Sequence, residues 1–284
     1  RLCPDLVTVR PDYSLYLHFS NMLRALYEEY TDHVESFGLD ECWLDMTQPG
    51  LALHDAARVA DELRCRVREE LGITVSVGVS YNKVFSKLAS DLKKPDFTTL
   101  ITPENYRQRV WPLPVENLLF VGPHTKRKLK DFGILTIGDL ACADEGALAR
   151  RLGKNGLTLR AFARGEDTSR VMRSDQAADI KSIGNSTTTP HDIATREDVK
   201  CVLYLLAEGV GARLREQGFR CGRVSISVRQ VNLESFSSQR TLPRATNLTD
   251  EIARAALELF DGNFAGKLPL RSAGLTCSSL VPER

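Results

Sequence analysis

The chain has 284 residues, 42% hydrophobic and 26% charged, with 19 Gly and 12 Pro. That composition excludes low-complexity disorder, the longest apolar runs fall far short of the ~18–20 residues of a membrane span, and the length suits two or three globular domains of ~100–200 residues each. The formal net charge of +1 conceals a split: residues 1–102 carry 11 Lys+Arg and 16 Asp+Glu, whereas residues 103–284 carry 27 and 21. An acidic part precedes a basic one, which points to a polyanionic partner on the basic part and to cations or catalysis on the acidic part.

In chain order, residues 13–31 place Leu15, Phe19, Met22, Leu23 and Leu26 mostly at helical spacing, predicting an amphipathic helix. Two strand-like runs follow, Val34–Leu39 and Cys42–Met46, bracketing Asp40-Glu41. Leu53–Leu71 reads as a second helix with Gly72 as its C-cap. The β-branched alternation of Ile73-Thr-Val-Ser-Val-Gly-Val79 predicts a strand, Asn82–Leu92 a helix stopped by Lys93-Lys94-Pro95, and Thr98–Ile101 a short strand. After Pro103 short helices are joined by Gly-Pro and Gly-Ile turns to about residue 175, and the polar stretch Val171–Ile180 reads as a linker. From Lys181 the order is strand (182–189), helix (195–217), strand (221–230), strand (233–242), helix (247–261) and strand (270–279). That βαββαβ pattern predicts a small domain with its helices on one sheet face, so the fold class is α+β with several domains. Seven cysteines lie singly with no C-x-x-C pair, which reads as reduced thiols in a reducing, cytoplasmic compartment. The chain opens with Arg-Leu-Cys-Pro rather than Met, and the expectation is a fragment or a chain whose upstream part was removed.

Three segments carry chemistry. In Glu35-Ser-Phe-Gly-Leu-Asp-Glu-Cys-Trp-Leu-Asp45, Asp40 and Glu41 are adjacent carboxylates beside apolar strands. Their mutual repulsion is relieved by a divalent cation such as Mg²⁺. Neighbours on a regular strand face opposite ways, so joint ligation needs a turn, which Gly38 permits; taken alone, the dipeptide also fits a solvated hairpin. In Gly78-Val-Ser-Tyr-Asn-Lys83…Lys87…Asp91-Leu-Lys-Lys94-Pro95, lysines at a helix and its end can reach triphosphate oxygens as point charges, or can simply be surface lysines. Leu118–Leu140 has the look of a helix-hairpin-helix: Gly122 permits a tight turn whose N–H groups face a phosphate, Thr125 opens a helix, and Lys126, Arg127, Lys128 and Lys130 favour contact with the DNA backbone.

Together these segments resemble the Y-family, or translesion, DNA polymerases of the DinB, polymerase IV and UmuC-like branch. Gly38-Leu-Asp-Glu-Cys-Trp-Leu-Asp45 is similar to a palm motif of that family, and Gly72–Pro95 is similar to a second one nearly residue for residue. Val121-Gly-Pro with Gly133-Ile-Leu-Thr-Ile-Gly-Asp-Leu140 resembles the thumb hairpin, and Lys181-Ser-Ile-Gly184 the start of the little finger. The resemblance implies a partial palm (1–102), a thumb (103–172), a linker (173–180) and a little finger (181–284). It also implies template-directed, Mg²⁺-dependent nucleotidyl transfer with two ions in the complete enzyme, for translesion synthesis in DNA repair.

The implied roles follow by position. Asp40 and Glu41 are the catalytic metal-site carboxylates and Lys94 binds the triphosphate of the incoming deoxynucleoside triphosphate. Gly122, Thr125, Lys126, Lys128 and Lys130, with Lys181, Ser182, Arg223, Arg240 and Arg244, hold primer-template DNA. The partners implied are DNA, nucleotide and a sliding clamp, for a monomer with no membrane association. Family members open with a palm strand carrying an aspartate, then an aromatic steric gate and the fingers. Leu2–Leu6 and Pro11–Tyr13 correspond to the segment after the fingers, so the expectation is a chain inactive alone for want of the first catalytic motif. A non-catalytic DNA-binding scaffold of the same family is the alternative, and a helix-hairpin-helix binding or nuclease module explains 118–140 but not 72–95.

Overall fold

Caps and side-chain alternation account for most elements of the computed structural model, which describes residues 3–48, 50, 52–176 and 179–283. Residues 1, 2, 49, 51, 177, 178 and 284 lie outside the described residues, including two positions of the expected linker and the first residue of Leu2–Leu6. The chain divides into two compact units, Arg1–Ala177 and Ala178–Arg284. No helix among the described residues is long and apolar enough to cross a membrane.

In the first unit, α1 (Tyr13–Glu28) begins where the Asp12 side chain accepts from the Leu15 N–H. It packs on α2 (Leu53–Leu71) through Leu23, Leu26, Leu63 and Val67. Gly72, at φ +69°, ends α2 in the left-handed conformation that glycine adopts freely. β1 (Val34–Ser36) and β2 (Cys42–Leu44) form an antiparallel hairpin, with Glu35 opposite Trp43. β3 (Val77–Val79) pairs in parallel with β4 (Thr98–Leu100), and α3 (Lys83–Leu92) is the crossover between them.

The strand expected over 73–79 pairs only at Val77–Val79. β4 is three residues long and offers no partner further back, so Ile73 and Val75 instead pack on the α1–α2 core. Gly78 matters because α3 lies directly on β3. A Cβ there would overlap the Ser86 carbonyl oxygen and come within 2.5 Å of the Ser90 nitrogen.

The helices α4 (Tyr106–Arg109), α5 (Pro123–Lys130), α6 (Ile137–Cys142), α7 (Glu145–Leu152) and α8 (Lys154–Ala163) bury Leu118, Leu129, Ile137, Leu140 and Leu159. Val84, Phe85, Leu88 and Ala89 of α3 belong to the same core, so this helix is clamped from both sides. α5 starts at Pro123, ahead of the expected Thr125, because proline is favoured at a helix's first turn, where a missing N–H costs nothing.

The second unit is a four-stranded antiparallel sheet in the order β5-β8-β6-β7, made of β5 (Ser182–Ile193), β6 (Phe219–Gln230), β7 (Ser235–Thr246) and β8 (Leu270–Pro282). α9 (Arg196–Glu216) and α10 (Thr249–Asn263) cover one face, burying Leu203, Val210, Ile252 and Phe260 against Val224, Ile226, Val228 and Leu275. The alternating residues of the other face are small and hydroxylated, among them Ser186, Ser225, Ser227, Thr276 and Ser278. A Cβ at Gly274 would reach 2.6 Å from Ser227 Oγ, a hydroxyl that can turn aside, and 3.1 Å from Ser186 Cβ, so the sheet is closely packed on this face.

Candidate active site

The β1–β2 loop turns tightly: the Phe37 N–H donates to the Glu41 carbonyl at 2.7 Å, and Gly38 sits at φ +84°. Asp40 and Glu41 therefore leave the hairpin on a turn instead of pointing to opposite sheet faces. Both line one cleft of about 400 Å³, together with Ser86, Lys87, Ser90 and Lys94 from α3 and the residues that follow it. Asp40 is exposed and Glu41 is half-buried.

An unbroken chain of ion pairs runs along this cleft. Glu41 meets the Lys87 ammonium at 3.1 Å, Lys87 meets Asp91 at 2.6 Å, and Asp91 meets Lys94 at 2.7 Å. Burial works to lower the Lys87 pKa, but the carboxylates of Asp91 and Glu41 outweigh it and hold the ammonium above its ordinary value. Burial likewise works to raise the Asp91 pKa, and Lys87 and Lys94 together hold it below the usual carboxylate range. The loop carrying Lys94 is tied down by its neighbour: Asp96 accepts from Arg64 at 2.7 Å and from Arg68 at 2.7 Å, both on α2. Those guanidinium groups, Arg64 chiefly, hold the Asp96 carboxyl below its ordinary pKa.

Lys83 and Lys87 share one face of α3 in the sequence but do different work. The Lys83 ammonium bonds both oxygens of Glu35 at 2.7 Å and lies 4.4 Å from the centre of the Trp43 ring, while Glu35 also accepts from the Met172 N–H. It is a structural clasp. Lys87 is the member of the pair that reaches the carboxylates. Its Lys-x-x-x-Asp spacing to Asp91 was the available sign, since residues four apart meet on a helix.

In the hairpin, Gly122 is the N-cap of α5 at φ −75°, an extended conformation open to any residue. A Cβ on it would meet nothing within 4 Å, so its backbone faces open space. In the turn before α5 the left-handed residue is Phe120, at φ +69°, two positions earlier than the sequence suggests. Lys126 pairs with Glu116 at 2.6 Å, Thr125 and Lys128 are half-buried, and Lys130 is exposed.

On the second unit, Ser182 and Arg223 occupy the open, hydroxylated sheet face, and exposed Lys181 immediately precedes β5. Arg240 and Arg244 are elsewhere: they reach the helical side of edge strand β7, where Arg240 pairs with Glu258 and Arg244 meets Glu251 at 2.7 Å. Among the described residues no cluster of three or more His, Cys, Asp or Glu side chains is arranged to hold a metal.

Comparison with known proteins matches both units. The model described as "impB/mucB/samB family" covers residues 1–91, and that of the "impB/mucB/samB family C-terminal domain" covers residues 180–284. DNA polymerase IV of Acetivibrio thermocellus is 48% identical over 98% of this chain and 70% of its own length. The chain belongs to the Y family of DNA polymerases. DNA polymerase IV of Bacillus velezensis is 35% identical over 100% of the chain and 68% of its own length. A solved Y-family DNA polymerase chimera superposes with a TM-score of 0.86 at 20% identity, covering 99% of this chain and 80% of that one, which shows the shared fold. The protein is thus a DNA-directed DNA polymerase of the translesion, DinB-like type. Enzymes of this family are nucleotidyltransferases that generally use divalent metal ions.

Proposed function

We propose that the cleft between the β1–β2 turn and α3 is where this polymerase binds the incoming deoxynucleoside triphosphate and joins it to the primer of a primer-template DNA. The observation that supports this most directly is the ion-pair chain Glu41–Lys87–Asp91–Lys94, which holds two carboxylates and two ammonium groups in register along one cleft. In this reading residues 1–102 are the palm, 103–172 the thumb, 173–180 the linker and 181–284 the little finger of a cytoplasmic enzyme.

The donor set fits Mg²⁺. Asp40 and Glu41 offer hard carboxylate oxygens on a turn, and no cation among the described residues pairs with Asp40. Mg²⁺ binds through one or two carboxylates and completes its shell with water and phosphate oxygens. Two ions held there with the substrate would activate the primer 3′-hydroxyl and neutralise charge on the phosphates. Lys94 is exposed enough to exchange Asp91 for a phosphate oxygen, offsetting charge that builds on the leaving pyrophosphate. Lys87 remains beneath, fixing Glu41. Gly122, Thr125, Lys126, Lys128 and Lys130 hold the duplex backbone on the thumb, and Lys181, Ser182 and Arg223 hold it on the little finger. Arg240 and Arg244 join them on giving up Glu258 and Glu251.

Primer extension by the full-length protein tests the site. Asp40→Asn and Glu41→Gln should each cut Mg²⁺-dependent extension by about 100-fold or more while leaving DNA affinity within about two-fold. Extension that survives both changes would remove the cleft from the chemistry.

A further inference from the structure

The turn that precedes α5 is closed by the Val121 N–H donating to the Leu118 carbonyl at 3.1 Å, and its third residue is Phe120 at φ +69°. That position of a turn asks for a left-handed backbone, which glycine supplies without steric cost and asparagine tolerates. A phenylalanine there is strained, and strained residues persist where the surroundings or a ligand make use of them. The interior of the protein makes little use of this one. Phe120 is 58% exposed, and its one aromatic neighbour among the described residues is half-buried Phe162 of α8, with ring centres 6.3 Å apart. Phe120 and Phe162 together form an apolar pair, and Gly122, whose backbone is open, follows Phe120 by two residues and caps the lysine-bearing α5.

We infer that Phe120 is a DNA-contact residue: its ring lies against the apolar deoxyribose face of the strand whose phosphates the start of α5 and its lysines hold. This rests on the thumb reading proposed above. A phosphate and its sugar are neighbours on the strand, so a hairpin that offers N–H groups and ammonium groups to the one has an apolar surface in reach of the other. The contribution is non-ionic, which separates it from the lysines. Binding of primer-template DNA by the full-length protein, measured across a salt series, tests it. Phe120→Asn keeps the left-handed turn and removes the ring; it should weaken binding about ten-fold at every salt concentration, leave the slope of log Kd against log salt unchanged, and leave Tm at or above that of the parent. Phe120→Tyr should bind as the parent does. Lys128→Ala and Lys130→Ala should each flatten the salt slope by about one. Parental affinity in Phe120→Asn, with the lysine variants flattening the slope, would overturn the role of Phe120 alone. Unchanged slopes in the lysine variants would instead overturn the thumb reading and the inference with it.

Discussion

Single side chains decide where Lys94 can act, and Asp96 is the one with the clearest signature. Its carboxylate receives Arg64 and Arg68 from α2, and its pKa is held below the ordinary carboxylate value of 3.8. A carboxyl whose folded pKa is depressed stabilises the protein fully above its unfolded value and loses that contribution as pH falls through the folded value. Asp96→Asn should therefore have a urea midpoint lower than the parent by a constant margin from pH 7 to about pH 5, and the two should converge below about pH 4. With the loop loosened, KM for nucleotide should rise while DNA affinity stays put. A margin that persists unchanged to pH 3 would show that the ion pairs carry no stability. None of this was readable from the sequence. Asp96 is 28 and 32 residues from its arginines, and nothing in local spacing links them.

Among elements, α3 carries the proposed site, and the packing of its underside on β3 is the feature most open to test. Gly78→Ala would drive a Cβ into the backbone at Ser86 and Ser90, and neither atom can rotate away. The helix must lift, at a cost on the order of 3 kcal/mol, and must carry Lys87 away from Glu41. A lowered urea midpoint together with reduced extension is the expected result; a parental midpoint would mean that α3 does not lie as close as described. This element was largely readable: the strand-turn-helix pattern from 77 to 92, the Asn82 cap, which accepts from the Phe85 N–H at 2.8 Å, and the stop before Pro95 are local signals. So were α2 with its Gly72 cap and the βαββαβ order of the second unit, where alternation and capping agree. What local pattern misses is pairing. Ile73 and Val75 alternate like strand residues but alternate in burial only, and Phe120 takes a glycine's conformation without any mark in the sequence.

Across the whole molecule, the proposed site gives the split of a near-neutral chain into acidic and basic parts a residue-level reading. The excess acid sits in the part that carries Asp40 and Glu41, and the excess base in the part with the hairpin lysines and the hydroxylated sheet face. The basic residues are not equivalent. Arg223 lies on the open face, whereas Arg240 and Arg244 are already satisfied by Glu258 and Glu251, so a phosphate must compete with a carboxylate for each of them. A polymerase that holds DNA through its backbone should lose affinity steeply with salt, by about 0.9 in log–log slope for each phosphate neutralised. Arg223→Ala should flatten that slope by about one. Arg244→Ala should change it by less, because part of what it loses is an internal ion pair. Glu251→Gln, which weakens that pair, should steepen the slope and tighten binding. Equal slopes for Arg223→Ala and Arg244→Ala, with no response to Glu251→Gln, would mean that the internal pairs impose no competition and that the charge count alone governs how this protein holds DNA.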